Sequence, residues 1–221
     1  MSNPKRFFVT GTNTEIGKTY VASLLATAWH QQGHRVGVYK PVASDCQVAS
    51  GGGLLSDDAV KLWESAGRPL SLDAVCPQRF RAATAPNVAA RLEEKTVDAQ
   101  LLREGLKPWL DFDVLLVEGV GGLLAPISDQ DLVVDVAVEL GFPLILVVGN
   151  QLGCINHTLL TIRVAKAAGL ELAGVYLNDC DQPDESSQTN LLELQRLADV
   201  PFIAQVSHSA TSIDTSQLLP E

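Results

Sequence analysis

A lysine and a threonine, Lys18 and Thr19, stand where an apolar run gives way to a pattern of helical periodicity. The apolar run is Phe7–Thr10, and the chain between it and Lys18 begins and ends with a glycine, Gly11 and Gly17. Backbone N–H groups at a helix N-terminus point toward a bound anion, and the helix dipole favours negative charge there. Five residues separate the two glycines, whereas the strict phosphate-loop pattern has four, so this loop is a variant. We therefore predict a phosphate-binding loop in which Lys18 neutralises nucleotide phosphates and the Thr19 hydroxyl ligates Mg²⁺.

A second lysine, Lys40, ends the apolar run Val36–Tyr39 and precedes Pro41. A lysine in this position is most often a solvated charge. Two cations that converge on one place, however, indicate an anionic ligand between them. The pattern therefore favours a functional role for Lys40 beside the predicted phosphate loop.

Two carboxylates are candidate metal ligands. Asp58 follows Ser56 and Asp57 at the start of a helical pattern, and either of these two residues would suffice as the N-cap. The additional carboxylate favours a metal-binding role for Asp58, with an ordinary helix start as the alternative. Glu118 follows the apolar run Val114–Val117, where phosphate-loop enzymes place a metal-coordinating acid. An ordinary glycine-rich turn is the alternative there.

These residues are far apart in the chain and need a sheet to bring them together. Apolar runs alternate with segments of helical periodicity, and continuous apolarity indicates strands covered on both faces. This alternation predicts an α/β fold with a doubly wound, mostly parallel sheet flanked by helices, which binds ligands at the carboxyl ends of its strands. The predicted strands are Phe7–Thr10, Val36–Tyr39, Val114–Val117, Leu144–Val148 and Ala173–Leu177. The predicted helices lie near Thr19–Gln32, Asp57–Ala66, Val97–Leu110, Leu132–Leu140, Ile155–Ala168 and Ser187–Leu197. The glycine-rich segment Gln47–Leu55 is predicted to be a mobile loop.

Length and composition limit the possible functions. The 221 residues suit one domain with a full core. A net charge of −10 argues against nucleic acid or an anionic membrane as a partner, because both require a basic face. The four cysteines are widely spaced, which predicts free thiols in a reducing compartment. The longest later apolar run, Phe142–Val148, is far too short to span a membrane, so we expect a soluble, cytoplasmic protein.

Five segments together resemble the dethiobiotin synthetases in order and spacing, from about Arg6 to Cys180. The five segments are Gly11–Thr19, Tyr39–Ser44, Val117–Gly122, Leu152–His157 and Asn178–Asp179. Two of them, Tyr39–Ser44 and Leu152–His157, distinguish this family from other phosphate-loop ATPases.

The resemblance implies an ATP-dependent enzyme, a single domain over residues 1–221, that closes the ring of dethiobiotin from 7,8-diaminononanoate and CO₂. One amine captures CO₂ as a carbamate, the carbamate attacks the γ-phosphate of ATP, and the second amine displaces phosphate. The resemblance makes Lys40 and Lys18 the catalytic cations, and Thr19, Asp58 and Glu118 the Mg²⁺ ligands.

The resemblance also implies which residues bind ATP and substrate. The ATP-binding residues are Glu15, Ile16, Gly17, Lys18, Thr19, Tyr20, Asp58, Glu118, Gly119, Val120, Gly121, Asn178 and Asp179, with Ser207, His208 and Ser209 as further candidates near the base. The substrate-binding residues are Thr14, Lys40, Ser44, Cys154, Ile155 and Asn156, the last three supplied across a homodimer interface. The start of the Cys154–Asn156 helix would receive the substrate carboxylate.

Two positions depart from the family pattern. Asp45 stands where the family usually has glycine. After Val200 the family has a short apolar strand and a proline-containing loop beside adenine, whereas this chain has Gln205–Ser209. We therefore expect looser selection of the nucleotide base.

Two other functions are the alternatives to this one. A nucleotide-dependent switch protein of the partitioning type usually carries an extra lysine near the start of the loop and an amphipathic tail. Residues 11–16 contain no lysine, and residues 207–221 are polar. A related amidoligase acting on a cobalamin-type substrate would require a glutaminase domain with a nucleophilic cysteine, which this sequence does not contain.

Overall fold

A computed structural model describes residues 4–219 of the chain. Its strands are β1 (Lys5–Gly11), β2 (Val36–Tyr39), β3 (Val42–Ala43), β4 (Gln47–Val48), β5 (Leu54–Leu55), β6 (Gln78–Arg79), β7 (Val114–Gly122), β8 (Leu144–Asn150), β9 (Leu172–Asp179) and β10 (Ile203–Val206). Its α-helices are α1 (Lys18–Gln31), α2 (Asp57–Ser65), α3 (Leu72–Val75), α4 (Pro86–Leu92), α5 (Ala99–Glu104), α6 (Val133–Leu140), α7 (Cys154–Ala167) and α8 (Asn190–Leu197). Short 3₁₀ helices lie at Lys107–Trp109 and Glu185–Gln188.

Six strands form the central sheet in the order β10-β9-β8-β1-β7-β2, and every neighbouring pair is parallel. The central strand β8 is buried at all seven of its positions, as expected for a strand covered on both faces by helices. The predicted doubly wound, mostly parallel α/β sheet is therefore confirmed. Because the strands are parallel, the loops after β1, β2, β7, β8 and β9 all emerge at one edge of the sheet.

Several elements differ from the sequence-based expectation. The strand β10 was not predicted, and neither were the short helices α3 and α4. The predicted helix Val97–Leu110 is instead α5 followed by a 3₁₀ turn that contains Pro108, because proline lacks the N–H that would continue the helix. The segment predicted as a loop, Gln47–Leu55, contains the antiparallel hairpin of β4 and β5.

The four cysteines, Cys46, Cys76, Cys154 and Cys180, are free thiols in the structure, as predicted. Among residues 4–219, no helix is long and apolar enough to cross a membrane.

Candidate nucleotide and metal site

The loop between β1 and α1 has the backbone that a phosphate site requires. Gly17 is the N-cap of α1 with φ of 89°, and no side chain caps the N–H groups of this helix end. These N–H groups therefore remain available to an anion. Gly11 lies at the other end of the loop, where an added Cβ would come within 2.6 Å of the Ile16 side chain. Gly17 is thus favoured by its backbone conformation, whereas a side chain at Gly11 would require the Ile16 side chain to shift.

The Lys18 side chain points back toward the phosphate loop. Its Nζ donates a hydrogen bond to the Asn13 carbonyl oxygen at 2.7 Å. Burial lowers the pKa of Lys18 to about 8, against the opposing effect of Glu118. A buried cation that meets only a neutral carbonyl gains from a nearby anion, which is consistent with the predicted phosphate contact.

Lys40 lies between two carboxylates. Its Nζ is 2.5 Å from Glu118 Oε1 and 3.0 Å from Asp58 Oδ2. The Thr19 hydroxyl donates to the same Glu118 oxygen at 2.7 Å. Four predicted site residues, from the end of β2, the middle of β7 and the starts of α1 and α2, therefore meet at one point.

The charges at this point stabilise one another. Burial on its own would lower the pKa of Lys40, but Glu118 and Asp58 outweigh it and the net pKa lies above its ordinary value. Burial likewise opposes ionisation of Asp58, but Lys40 holds the pKa of that carboxyl below its usual range. Lys40 and Asp58 are therefore both charged near neutral pH.

The donor atoms here suit a hard divalent cation. The Glu118 side chain is fully buried, and within the described part of the chain its Oε2 atom has no hydrogen-bond partner. Together with the Thr19 hydroxyl and the Asp58 carboxylate, it offers the oxygen-only set that Mg²⁺ prefers. Nowhere in residues 4–219 do three or more His, Cys, Asp or Glu side chains form a metal-binding group. A metal ion here would therefore complete its coordination with oxygens from phosphate or water.

The structure also settles how α2 begins. Ser56 is the N-cap, and its side chain accepts from the Ala59 N–H. Asp57 is exposed, whereas Asp58 is half-buried and faces Lys40. Capping therefore does not account for Asp58, which keeps its predicted role as a metal ligand.

The chain after Glu118, for which a glycine-rich turn was the alternative, continues as strand β7 to Gly122 and runs beside the phosphate loop. Gly119 is buried under Phe8, and Val120 and Gly121 are half-buried. A Cβ added at Gly121 would lie 3.7 Å from the Thr14 side chain. The structure thus brings this predicted segment alongside the predicted phosphate site.

On the side predicted for the base, Asn178 contacts the phosphate loop directly. Its Nδ2 donates to the Ile16 carbonyl oxygen at 3.1 Å, and its Oδ1 is buried without a partner. Ser207, His208 and Ser209 are exposed. Asn178 therefore lies beside the phosphate loop, and its contact with the base stays a prediction; the three loop residues are open to solvent.

Two other predicted ATP-binding residues make contacts within the protein. The Tyr20 hydroxyl donates to the Ala210 carbonyl oxygen at 2.8 Å. The Asp179 carboxylate accepts hydrogen bonds from the Asn150 and Gln205 amides. Their direct contact with ATP stays a prediction.

The predicted substrate residues fall into two groups. Thr14 lies on the phosphate loop before Lys18, and Ser44 follows β3 shortly after Lys40; Thr14 is exposed and Ser44 half-buried. The second group, Cys154, Ile155 and Asn156, starts α7 after Gly153, again without a side-chain cap. No hydrogen bond or ion pair among residues 4–219 links this second group to Lys18, Lys40 or Thr14.

Asp45 has φ of 59°. This left-handed region favours glycine, the residue usual at this position in the family, and aspartate is one of the few other residues that adopt it readily. The departure is therefore compatible with the backbone.

A phosphate loop at the carboxyl edge of a doubly wound parallel sheet defines a nucleotide-binding protein of the P-loop NTPase class. The AAA domain family matches residues 5–212. The ATP-dependent dethiobiotin synthetase BioD of Rhodopirellula baltica is 47% identical over 212 residues, which are 90% of this chain and 83% of that protein. The BioD protein of Aromatoleum aromaticum is 38% identical over 95% of this chain and 93% of its own. This chain belongs to the ATP-dependent dethiobiotin synthetase family.

Solved structures support the fold. The cell division protein FtsY of Thermotoga maritima aligns with a TM-score of 0.58 at 15% identity, over 100% of this chain and 70% of that one. The chloroplast FtsY of Physcomitrella patens aligns with a TM-score of 0.52 at 17% identity, over 99% of this chain. This chain spans 64% of that protein. At such identities the likeness shows the fold alone.

Sequence reasoning assigned no role to two residues of this region. The Asn13 carbonyl holds Lys18, and Asn150 holds Asp179. Because every residue has a main-chain carbonyl, the residue type at position 13 does not indicate its contact with Lys18. Asn150 stands at the carboxyl end of a predicted apolar strand, which is the signal that could have identified it.

Proposed function

We propose that the protein is an ATP-dependent enzyme of biotin biosynthesis that forms dethiobiotin from 7,8-diaminononanoate and CO₂, with release of ADP and phosphate. The observation that carries this proposal is the buried cluster in which Lys40 lies between Asp58 and Glu118 beside the phosphate loop. A reaction between two anions, carbamate and triphosphate, requires positive charge at their meeting point. The family membership supports the choice of substrates.

The chemistry proceeds in three steps. One amine of the substrate forms a C–N bond to CO₂ and loses a proton, which gives a carbamate. A carbamate oxygen attacks the γ-phosphorus, and the bond to the β-phosphate oxygen breaks to release ADP. The second amine then attacks the carbamoyl carbon, loses a proton and expels phosphate, which carries away the former carbamate oxygen and leaves a cyclic urea.

In this scheme the residues of the chain bind and orient the reactants and neutralise their negative charges. Lys18 and the free N–H groups of α1 hold the phosphates, while Lys40 offsets charge where carbamate and γ-phosphate meet. Thr19, Asp58 and Glu118 would hold Mg²⁺, which supplies further neutralisation of the phosphate oxygens when bound. A buried setting strengthens each of these interactions relative to water.

The proposal includes a homodimer in which two copies of the chain contribute to one substrate site. Thr14 and Ser44 would flank the diamine, and the start of α7 from a second copy of the chain would receive the substrate carboxylate. The free N–H groups at that helix start support this role. A homodimer, a single domain over residues 1–221 and a cytoplasmic location stay predictions.

The test is to supply ¹³C-bicarbonate, ATP, Mg²⁺ and 7,8-diaminononanoate and to analyse the products by mass spectrometry. We expect dethiobiotin labelled at the urea carbon and one ADP per product. Omission of either the diamine or bicarbonate serves as the control and should abolish ADP formation above background. ADP formation that ignores both compounds would instead identify a switch ATPase.

A further inference from the structure

The carboxylate of Asp179 joins the ends of three neighbouring strands. Asn150, at the end of β8, donates to its Oδ1 at 2.7 Å. Gln205, on β10, donates to its two oxygens at 2.8 and 2.9 Å. One side chain at the end of β9 therefore fixes the strands on both sides of it.

The Asn150 side of this network is buried. Asn150 is 1% exposed and Asn190 is 2% exposed. Asn190 Nδ2 donates to Asn150 Oδ1 at 2.9 Å, and Asn150 Nδ2 also reaches the Ser187 carbonyl oxygen at 3.2 Å. Because buried amides need partners for both their donor and acceptor atoms, these bonds hold Asn150 in the orientation that presents its N–H to Asp179.

The network lies next to both predicted base contacts. Asn178 immediately precedes Asp179 and donates to the phosphate loop at Ile16. Its Oδ1 is buried and has no hydrogen-bond partner among residues 4–219. Val206, which follows Gln205, pairs with Asn178 in the sheet and leads directly into the exposed loop Ser207–Ser209. Asp179 thus lies directly beside both predicted base contacts.

The far end of that loop is also fixed. The Ala210 carbonyl oxygen accepts from the Tyr20 hydroxyl of α1. The loop is therefore anchored to the Asp179 network at one end and to the helix behind the phosphate loop at the other. Its backbone is held even though its side chains are exposed.

We propose that Asp179 is a positioning residue for the nucleotide base and does not itself contact the nucleotide. Through Asn150 and Gln205 it orients Asn178 and the start of the Ser207–Ser209 loop toward the base. This inference rests on the proposed ATP site and replaces the predicted direct contact between Asp179 and ATP.

The test exploits the polarity of the Gln205–Asp179 contact. Gln205→Glu would set a carboxylate against a carboxylate, and Asp179→Asn would remove the charged acceptor. In the double variant the amide introduced at position 179 would donate to the carboxylate introduced at position 205, so the contact would return with its polarity reversed. Affinities for Mg²⁺–ATP and for Mg²⁺–tripolyphosphate, which lacks the base, are measured by titration calorimetry without diaminononanoate.

We expect Gln205→Glu to weaken ATP binding about tenfold, equivalent to about 1.4 kcal/mol, and to leave tripolyphosphate binding unchanged. The double variant should bind ATP within about twofold of the unaltered protein. Asp199→Asn is the matched control, since this exposed aspartate pairs with Lys166 far from the loop, and it should change neither affinity.

Four results would overturn the proposal. A double variant that fails to regain ATP affinity would place Asp179 in direct contact with ATP. Equal losses for ATP and tripolyphosphate would indicate general damage to the site, as would a lowered melting temperature that accounts for the loss. Equal affinity of the unaltered protein for both ligands would remove the base site altogether. Because no diamine is present, these results are independent of which product the enzyme makes.

Discussion

The two ends of the predicted nucleotide site are built in different ways. At the phosphate end, Lys40 and Glu118 have side chains only 5% and 1% exposed, and their charged atoms are 2.5 Å apart. At the base end, Asn178 is half-buried and the Ser207–Ser209 loop is exposed. Full charges thus meet in the interior at one end, whereas at the other end the residues predicted to face the base are half-buried or exposed.

Because they differ in burial and charge, the two ends of the site are suited to different tasks. Charges act more strongly in a buried setting of low dielectric, so the phosphate end is suited to large electrostatic effects on the reaction. Contacts near solvent compete with water and contribute less. We therefore expect substitutions at the phosphate end to change catalysis and stability, and those at the base end to change nucleotide affinity modestly.

The largest effect is expected from Lys40→Met. Turnover should fall by about 100- to 1,000-fold, as when a positioned electrostatic donor is removed. The free energy of unfolding should fall by about 3–5 kcal/mol, because Glu118 would remain as a buried carboxylate that has lost its closest cation. Product formation and chemical denaturation measure the two effects.

The double variant Lys40→Met with Glu118→Gln separates the effect on turnover from the effect on stability. It should regain most of the lost stability, since the buried charge is gone, but none of the turnover. If Lys40→Met alone turns over normally, Lys40 has no catalytic role.

Lys18→Ala should weaken the binding of ATP. We expect the ATP dissociation constant to rise about 10- to 100-fold, the effect of losing a hydrogen bond to a charged group, whereas Lys40→Met should bind ATP with a much smaller change. Titration calorimetry compares the two variants. Unchanged ATP binding in Lys18→Ala would contradict the assignment of this lysine to the phosphates.

The adjacent aspartates give a matched pair at the metal position. Asp58→Asn should raise the Mg²⁺ concentration needed for half-maximal turnover by about tenfold, because one charged ligand is lost. Asp57→Asn should cost no more than about 0.3–1 kcal/mol of stability through the helix dipole, since Ser56 is the N-cap. Equal and large effects at both positions would mean that Asp57 also participates in metal binding.

The smallest effect is expected in base selection. We predict that kcat/KM for ATP, GTP and CTP will differ by no more than about tenfold, or about 1.4 kcal/mol, because the Ser207–Ser209 side chains are exposed. Steady-state kinetics with the three nucleotides measure this spread. A thousandfold preference for ATP would mean that the base end is as selective as a fully enclosed pocket.

The sequence predicted the buried centre of the fold better than its margins. Strand β8 was recognisable because its apolar run is continuous. In contrast, β10 has only four residues, three of which are not fully buried, so its edge position left a weak pattern. The helices α3 and α4 are too short for helical periodicity to be clear.

The candidate site was predictable as far as strand ends could indicate it. Lys40 and Glu118 both follow apolar runs, and the parallel sheet brings them together although 78 positions separate them. Their direct contact depends on side-chain directions that no local pattern records. The Asp179 network could not be predicted because Asn150, Asn190 and Gln205 are common polar residues whose partners lie far away in the chain.

The most direct test of the proposed chemistry follows one oxygen atom. The reaction is started with ¹⁸O-labelled bicarbonate in unlabelled water and stopped within seconds, before the label exchanges, and the released phosphate is analysed by mass spectrometry. If a carbamate oxygen attacks the γ-phosphate at the Lys40 cluster, each phosphate should carry one ¹⁸O atom. Phosphate without ¹⁸O, formed together with dethiobiotin from carbamate that still holds its label, would show that water attacks ATP and would contradict the account.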